Sequence, residues 1–422
     1  MIRSIIKRDG RVVLYDESKI ASAILKAMEA AGEGDATDAA NVANDVQSKL
    51  EKLPEDMPPQ IEQVQDTVER ALMKKGFEES AKKFILYRAQ RTHIREANTS
   101  LMKTIDEITN IDARESDMKR DNANIDGNTS MGSMLQIGAA GAKNYNEAYL
   151  LTPEQAKAYR EGDIHIHDFD FYSLTTTCTQ IDIEKLFQGG FSTGHGVIRE
   201  PQCIQSYAAL AAIAIQSNQN DQHGGQSIPL FDYYLAPGVM HTFKKNYRQA
   251  LTDYVDYTQA LDLETLNLAL AQIDSLSDLR AVELTGDQLP LVYEKALAKT
   301  ERATYQAMEG LIHNLNTMHS RAGAQVPFSS INFGTDTSEA GRMVSRQLLL
   351  AMESGLGNHE TPIFPILIFK IKEGVNYNPG DPNYDLFQLS CRVSAKRMFP
   401  NFAFIDAPFN KQYYKEGRPE TE

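Results

Sequence analysis

Short apolar runs alternate with stretches of helical periodicity from about residue 130 onward. Residues 364–369 are apolar at every position, as strands are when both of their faces are covered. Residues 327–333 form a second strand-length run, and residues 342–352 between them have helical spacing. Because strands that alternate with helices usually pair in parallel, the pattern predicts an α/β fold, either a sheet or a barrel. Ligands of such folds bind at the carboxyl ends of the strands.

Length, composition and charge narrow the classes of protein to consider. At 422 residues the chain is long enough for two or three domains, and 42% hydrophobic and 24% charged residues are ordinary for a soluble protein. No apolar run approaches the roughly 18 residues that span a bilayer, and residues 1–4 do not resemble a signal peptide. We therefore expect a cytoplasmic protein without a membrane segment. A net charge of −14 argues against a general nucleic-acid binder.

Residues 1–95 have the pattern of a small, separate helical module. Two short apolar runs flank Asp9 and Gly10, which predicts a β-hairpin because both residues tolerate a positive φ. Four helices are expected to follow, the last one ending near Arg95, with a proline-rich break at residues 53–59. The predicted inward positions are Ile20, Ile24, Ala27, Met28, Val42, Val46, Leu50, Ile61, Val64, Val68, Leu72, Ala81, Phe84 and Ile85.

Basic side chains of this module occur at places that the fold would bring together. Lys7 and Arg8 follow the first hairpin strand, Lys19 lies at the start of the first helix, and Arg88 and Arg91 lie on the last helix. If that helix packs beside the hairpin, the five cations converge on a pocket suited to a polyphosphate. Taken singly, each could equally be a solvated surface charge.

A polar row follows residue 162. Asp163, His165 and His167 alternate with Ile164 and Ile166, so in a strand the three polar side chains would share one face. Buried imidazoles and carboxylates need partners or a cavity, and the row is therefore expected to face a site. Two partnered core histidines are the alternative interpretation.

The three cysteines, Cys178, Cys203 and Cys391, lie far apart and form no CxxC pair. This spacing argues against a disulfide framework and against a structural zinc site within the chain. Cys178 follows the histidine row closely, and a lone cysteine in a polar setting is a candidate for redox or nucleophilic chemistry. Cys203 and Cys391 are interpreted as small core residues, because ordinary helical sequence flanks them.

The N-terminal module resembles the ATP-cone, a regulatory nucleotide-binding domain. The resemblance rests on residues 6–10, 19–20, 64–69 and 87–91. It implies an ATP-cone at residues 1–95 that binds ATP or dATP as an allosteric effector, followed by a linker at 96–130. Lys7, Arg8 and Lys19 would contact the phosphates or the base, and Arg88 and Arg91 would have less defined roles.

Longer phrases resemble the anaerobic, class III ribonucleoside-triphosphate reductases. These phrases are residues 126–132, 162–172, 175–178, 190–201, 217–226 and 321–330, and the resemblance extends to about Asp406. It implies a catalytic domain at residues 131–422, formed by an incomplete ten-stranded α/β barrel of the glycyl-radical enzyme type. It also implies a homodimer that removes the ribose 2′-hydroxyl of ribonucleoside triphosphates. Formate is the expected reductant, and a radical-SAM activating enzyme is the expected partner.

The same resemblance assigns site residues. Cys178 matches the position of the cysteine that helps to reduce the substrate. The chemistry agrees, because a thiol can donate a proton and can return hydrogen to carbon. His165 and His167 are the candidates for assisting with protons, and the sequence does not choose between them. The candidates for binding substrate phosphates are Arg321, Ser329 and Ser330. The candidates for a specificity-effector site at the dimer interface are Glu200, Gln216 and Lys245, each of which could instead be a surface charge or a helix cap.

The sequence stops at Glu422. The resemblance places the radical-forming cysteine, the last barrel strands, a four-cysteine zinc site and the glycyl-radical loop beyond this point. We therefore expect an N-terminal portion of such a reductase, truncated at its C-terminus and without turnover by itself. The glycyl radical and the zinc are expected only in the missing part.

Two other classes of function remain open from the residues alone. A metal-dependent amidohydrolase also places an HxH pair on an early strand of an α/β barrel, and it would need further histidines and an aspartate at later strand ends. The candidate histidines are His223, His313, His319 and His359, which lie in helical or glycine-rich contexts. A non-catalytic nucleotide-sensing protein would use the barrel segment for assembly only.

Overall fold

The computed structural model describes residues 4–8, 11–52, 58–111, 126–172, 175–258, 264, 268, 270–272, 275–276, 289–321 and 325–415. The chain divides into two compact units. The first comprises Met1–Ile105 with Asn144–Ile164, and the second comprises Asp106–Lys143 with His165–Glu422. The predicted turn at Asp9 and Gly10 and most of the proline-rich break lie outside the described residues.

The first unit begins with the predicted β-hairpin. Strands β1 (Ser4–Ile6) and β2 (Val12–Leu14) pair antiparallel, with Ile5 opposite Val13. The helices that follow along the chain are α1 (Glu17–Ala31), α2 (Ala36–Leu50), α3 (Ile61–Lys74), α4 (Glu78–Asn110), α5 (Ser130–Tyr149) and α6 (Pro153–Glu161). Residues 106–110 of α4 and 130–143 of α5 belong to the second unit. Asp16 and Asp35 cap α1 and α2 by accepting backbone N–H groups of the first turn, as N-cap carboxylates do.

Apolar stripes of the helices form the core of the first unit, as predicted. The buried positions include Ile24, Ala27, Met28, Val42, Val46, Leu50, Val64, Val68, Leu72, Ala81 and Phe84, with Ile20 packed against them. The prediction that the fourth helix ends near Arg95 is wrong, because α4 continues to Asn110. The extension includes the buried Ile108, and its residues from 106 onward belong to the second unit.

The second unit contains the sheet. Its strands and helices are β3 (Thr176–Gln180), α7 (Ile183–Phe187), β4 (Phe191–Ser192), β5 (Val197–Ile198), α8 (Ile204–Asp221), β6 (Gln222–Ile228), α9 (Phe231–Thr258), α10 (Leu289–Thr317), β7 (Ser329–Phe333), α11 (Glu339–Ser354), β8 (Ile366–Ile371), α12 (Tyr384–Arg397), β9 (Asn401–Phe404) and α13 (Pro408–Lys411). Five strands form one sheet in the order β3-β6-β7-β8-β9, and every neighbouring pair is parallel. The predicted α/β fold is therefore confirmed, with five of the ten strands that the resemblance implied.

The two faces of this sheet differ. Ile331 and Phe333 of β7 and Leu367 and Phe369 of β8 belong to a buried core that includes residues of α8, α9, α10, α11 and α12. Because side chains alternate along a strand, Ser330 and Asn332 lie on the other face. Ser227 Oγ lies 3.5 Å from Asn332 Oδ1 there. The face away from the core is thus partly polar.

Candidate functional site

Cys178 lies at an irregularity in β3. Its φ of 45° is left-handed, a conformation that residues other than glycine rarely adopt. The pairing of β3 with β6 shifts at this point, because Thr177 pairs with His223 whereas Thr179 pairs with Gln226. Cys178 therefore faces two residues of β6 instead of one, as in a β-bulge. A bulge changes the direction in which a side chain points. The thiol of Cys178 is exposed.

Gly224 is one of the two residues opposite Cys178. A Cβ atom at Gly224 would lie 2.8 Å from Cys178 Sγ, and the glycine itself has a φ of 80°. Both observations require glycine at this position. Gly224 lies in residues 217–226, one of the segments that carry the family resemblance. That this glycine makes room for the sulfur follows only from the structure.

Asn218 of α8 fixes the two strands beneath the thiol. Its side-chain amide donates to Thr179 Oγ1 at 2.8 Å and to Gln226 Oε1 at 2.8 Å. Thr179 belongs to β3 and Gln226 to β6, so one side chain connects both strands beyond the bulge. The bulge is consequently held by a helix and not only by strand pairing.

The prediction that His165 and His167 lie on a strand is wrong. The segment after α6 begins with Gly162 in the left-handed conformation, and Asp168 has a φ of 49° before a 3₁₀ turn at Phe169–Phe171. Residues 163–167 belong to no strand, and Asp168, a residue type that tolerates the left-handed conformation better than most, leads into the turn. His165 and His167 are exposed, with the side chain of His167 at 86%, so they do not line an enclosed hollow.

A different histidine, His223, lies beside Cys178. It pairs with Thr177 across the strands, and its side chain is only 11% exposed. Its Nδ1 is hydrogen-bonded to Thr175 Oγ1 at 2.9 Å, and its ring stacks on Phe171 at 4.8 Å. Asp168 Oδ2 lies 3.9 Å from Nε2. Sequence reasoning considered this histidine only as a possible metal ligand, although its position before Gly224 in a characteristic motif could have indicated it.

The predicted phosphate-binding residues lie in different settings. Arg321 donates to the backbone carbonyls of Gln219 at 3.0 Å and of Gln222 at 2.6 Å, and it lies over the Phe171 ring at 5.6 Å. Burial lowers the pKa of Arg321, an effect that nearby carboxylates partly offset. Ser329 is buried and donates to Pro327 O, whereas Ser330 lies on the polar sheet face. Residues 322–324 of this segment lie outside the described residues.

The three predicted effector residues are spread over the second unit. Glu200 and Lys245 are exposed, whereas Gln216 donates to Asn314 Oδ1 at 2.9 Å and so joins α8 to α10. The interpretation of the other two cysteines as core residues is wrong. Cys391 is exposed, and Cys203 is partly exposed at the N-terminus of α8. Burial raises the pKa of Cys203, but hydrogen bonds from Ser206 and backbone N–H groups outweigh it and lower the pKa.

The basic residues of the first unit converge as predicted. A cavity of about 900 Å³ lies beside α1 and α4, and Arg8, Lys19, Arg88 and Arg91 line it. Lys7 is exposed and is not among the lining residues. Sequence reasoning missed three further cations that also line the cavity, namely Lys26, Lys83 and Arg95. Lys26 follows Lys19 by seven residues, about two helical turns, and this spacing could have revealed it.

Carboxylates of α3 hold two of these cations. Arg88 donates to Asp66 Oδ1 at 2.6 Å, to Glu69 Oε1 at 2.9 Å and to Glu62 Oε2, and Glu62 Oε1 accepts from Arg8. Burial lowers the pKa of Arg88, but the three carboxylates outweigh it and raise the pKa. The hydrogen bond from Arg8 lowers the pKa of Glu62. Within the described parts of the chain, Lys26, Lys83 and Arg91 form no ion pair.

The described residues contain neither a candidate metal-binding cluster nor a candidate membrane-spanning helix. In the described ranges, no group of three or more His, Cys, Asp or Glu side chains could hold a metal ion. None of the described helices combines the length and apolar character that crossing a bilayer requires.

Two family comparisons cover the chain. The sequence model of the anaerobic ribonucleoside-triphosphate reductases matches residues 121–421, and that of the ATP cone domain matches residues 3–93. The anaerobic ribonucleoside-triphosphate reductase of Salmonella typhimurium is 30% identical over 96% of this chain, and that of Escherichia coli is 29% identical over 96%. Each alignment covers 52% of the relative. The chain thus spans about half the length of these curated relatives.

A solved structure gives a further comparison. The crystal structure of the anaerobic ribonucleotide reductase from Thermotoga maritima with glycerol in the active site aligns with a TM-score of 0.48 at 11% identity, over 76% of this chain and 51% of that one. The family assignment rests on the sequence models, one of which matches well over half of the chain. The chain belongs to the anaerobic ribonucleoside-triphosphate reductase family, with an ATP cone domain at its N-terminus.

Proposed function

We propose that this chain carries the nucleotide-sensing domain and the Cys178 side of the substrate site of an anaerobic ribonucleoside-triphosphate reductase. ATP or dATP binds the cavity of the first unit as an allosteric effector, and a ribonucleoside triphosphate binds the polar sheet face near Cys178. The observation that carries the proposal is the cavity of about 900 Å³, which seven lysine and arginine side chains line, six of them within the matched ATP cone.

The lining of the cavity suits a nucleoside triphosphate. The unpaired Lys26, Lys83 and Arg91 offer donors for phosphate oxygens from α1 and α4, and charge-assisted hydrogen bonds of this kind are the strong ones. Tyr87 and Phe84 offer aromatic surface for a base. A polyanion with an aromatic end therefore meets complementary groups on the cavity wall.

The effector site is tested by isothermal titration of the chain with ATP. We expect Lys26→Ala and Lys19→Ala each to weaken binding by roughly tenfold, because each removes one charge-assisted contact. Lys74→Ala is the matched control, since Lys74 is exposed on α3 and does not line the cavity. Lys7→Ala measures the contribution that the sequence predicted for Lys7. Equal affinity in wild type, Lys26→Ala and Lys19→Ala would exclude the cavity as the effector site.

On the sheet face, Cys178 is the group that we propose reacts. Loss of water from the ribose requires a proton for the leaving 2′-hydroxyl and a hydrogen for the carbon that it leaves, and a thiol supplies either one. In the overall reaction formate is oxidised to carbon dioxide, the 2′-hydroxyl leaves as water and hydrogen replaces it. The family implies that a glycyl radical, generated by a radical-SAM activating enzyme, starts this reaction in a homodimer.

The histidine that supports this chemistry is proposed to be His223. It pairs across the strands with the residue next to Cys178, and its ring is fixed by Thr175 and Phe171. With Asp168 3.9 Å from Nε2, the imidazole can hold a proton close to the thiol strand. His165 and His167 are both exposed. Because His167 Nε2 also lies 3.7 Å from Asp168 Oδ2, what distinguishes His223 is its burial and its contacts with Thr175 and Phe171.

Thiol alkylation tests the substrate site. We expect a ribonucleoside triphosphate to slow the labelling of Cys178 by iodoacetamide while leaving that of Cys391 unchanged. Both cysteines are exposed, so Cys391 is an internal control in the same molecule. Peptide mass spectrometry at several times gives both rates. If the nucleotide slows neither thiol or both equally, the substrate does not bind beside Cys178.

A further inference from the structure

Glu62 of α3 connects two of the cavity cations. One carboxylate oxygen accepts from Arg8, which follows β1, and the other accepts from Arg88 of α4. Arg8 and Arg88 both line the cavity proposed for nucleotide. A negative side chain therefore already occupies donors that face the ligand cavity.

The two arginines depend on Glu62 to different degrees. Arg88 has two further carboxylate partners, Asp66 at 2.6 Å and Glu69 at 2.9 Å. In the described residues, Glu62 is the carboxylate that pairs with Arg8, whose other side-chain contact is the amide oxygen of Gln65 at 2.9 Å. Loss of the Glu62 charge would thus leave Arg88 neutralised but would release the guanidinium of Arg8.

We propose that Glu62 is an internal competitor of the nucleotide phosphates for Arg8, and that it sets the effector concentration to which the ATP cone responds. The inference depends on the nucleotide binding proposed above. A phosphate group carries more negative charge than a carboxylate and accepts from the same guanidinium donors, so bound nucleotide displaces Glu62 from Arg8.

The geometry allows this exchange at modest cost. The side chains of Arg8 and Glu62 are 33% and 40% exposed, so water screens their ion pair, and of the two only Arg8 is among the described residues that line the cavity. The backbone beside Arg8 is fixed separately, because Ile6 N donates to Pro59 O at 3.0 Å. The guanidinium can therefore turn from Glu62 to a phosphate by rotation of the side chain, while the hairpin stays paired with residues 59–60.

The test compares ATP affinities of the whole chain by isothermal titration at one salt concentration and pH 7. We expect Glu62→Gln to tighten ATP binding by about three- to fivefold, the range that a partly exposed ion pair supports. Glu69→Gln is the matched control. It removes the same charge from the same helix and also contacts Arg88, but it does not contact Arg8, so its affinity should stay within about twofold of wild type.

A second variant separates release of Arg8 from loss of charge. Glu62→Asp keeps the carboxylate, but its shorter side chain cannot reach both arginines, and it should also tighten binding if Arg8 is released. In an Arg8→Ala background, the gain from Glu62→Gln should disappear, as expected when two residues act through one contact. Thermal melting shows that each variant is folded.

The outcomes separate this inference from the proposal on which it rests. If wild type does not bind ATP, the proposed effector site fails and the competition fails with it. If wild type binds but Glu62→Gln and Glu62→Asp leave the affinity unchanged or weaken it, only the competition is wrong. An equal gain in Glu69→Gln would show a general charge effect and would also overturn it.

Discussion

The cavity of the first unit and the thiol strand of the second position their functional groups by different means. All of the cavity cations except Arg8 extend from the helices α1 and α4, and carboxylates of α3 hold Arg8 and Arg88 in place. Cys178 instead depends on its backbone, because it has a left-handed φ and faces a glycine that could not carry a side chain. The first site is adjustable through charge, whereas the second should tolerate almost no change of shape.

This difference predicts opposite sensitivities. Removing one charge from the cavity should change the affinity for ATP by about tenfold or less and should leave the fold intact, since partly exposed ion pairs contribute little to stability individually. Adding one methyl group opposite Cys178 meets backbone strain and a close contact at once. The effects of three changes, taken from the largest to the smallest, show whether the contrast holds.

Gly224→Ala should have the largest effect. The new methyl group would lie 2.8 Å from Cys178 Sγ, at a residue whose φ is 80°. Strain and overpacking together should lower the free energy of unfolding by about 2–4 kcal/mol, measured by urea denaturation. Gly374→Ala is the matched control, since Gly374 has a φ of 77° but nothing within 4 Å of the added atom. A cost as small as that of the control would show that the thiol strand adjusts easily.

The structure also distinguishes the histidines. His223→Ala removes a buried ring that stacks on Phe171 and is hydrogen-bonded to Thr175, which should cost about 2 kcal/mol. His167→Ala removes a ring that is 86% exposed and should change stability by less than about 0.5 kcal/mol. The same denaturation experiment measures both. Equal costs would remove the reason for preferring His223 over His167 near the thiol.

The sequence predicted the first site better than the second, for a physical reason. Helical spacing determines which way side chains point, so Lys19, Arg88 and Arg91 could be expected to converge once the helices were assigned, and Arg8 joins them from the predicted hairpin. The carboxylates that pair with Arg8 and Arg88 were missed, because pairing across helices depends on packing that spacing does not encode. Lys7 was predicted to lie in the same pocket as Arg8, but it does not line the cavity.

At the thiol strand, the assumption of regular alternation failed. A strand from Asp163 to His167 requires extended backbone, but Asp168 is left-handed and a 3₁₀ turn follows. The shifted pairing at Cys178 likewise depends on β6, which is about 45 residues away in sequence. Parallel pairing could be predicted from the alternation of strands and helices, whereas bulges depend on contacts between strands that the pattern does not encode.

Asp232 in the second unit and Glu62 in the first should contribute to the stability of the fold with opposite dependence on pH. Burial raises the pKa of Asp232, which accepts from the backbone N–H groups of Gly334 and Asp336. A raised folded-state pKa means that this aspartate favours the folded state below the ordinary carboxyl pKa and loses that contribution as the pH rises. Glu62 has the opposite sign, since its pKa is lowered by the hydrogen bond from Arg8.

The pH dependence of Glu62 is the smallest of the three predicted effects. A lowered folded-state pKa contributes stability above the unfolded carboxyl pKa of about 4.3, and this contribution is lost as the pH falls through the lower folded-state value. We therefore expect wild type to exceed Glu62→Gln by about 0.5 kcal/mol at pH 6, a value discounted because the pair is partly exposed. The difference should vanish towards pH 3 in thermal melts. The control is Glu78→Gln, at an exposed position on α4, whose stability relative to wild type should not change between pH 6 and pH 3. If the difference between wild type and Glu62→Gln also stays constant over this range, the ion pairs with Arg8 and Arg88 do not stabilise the fold.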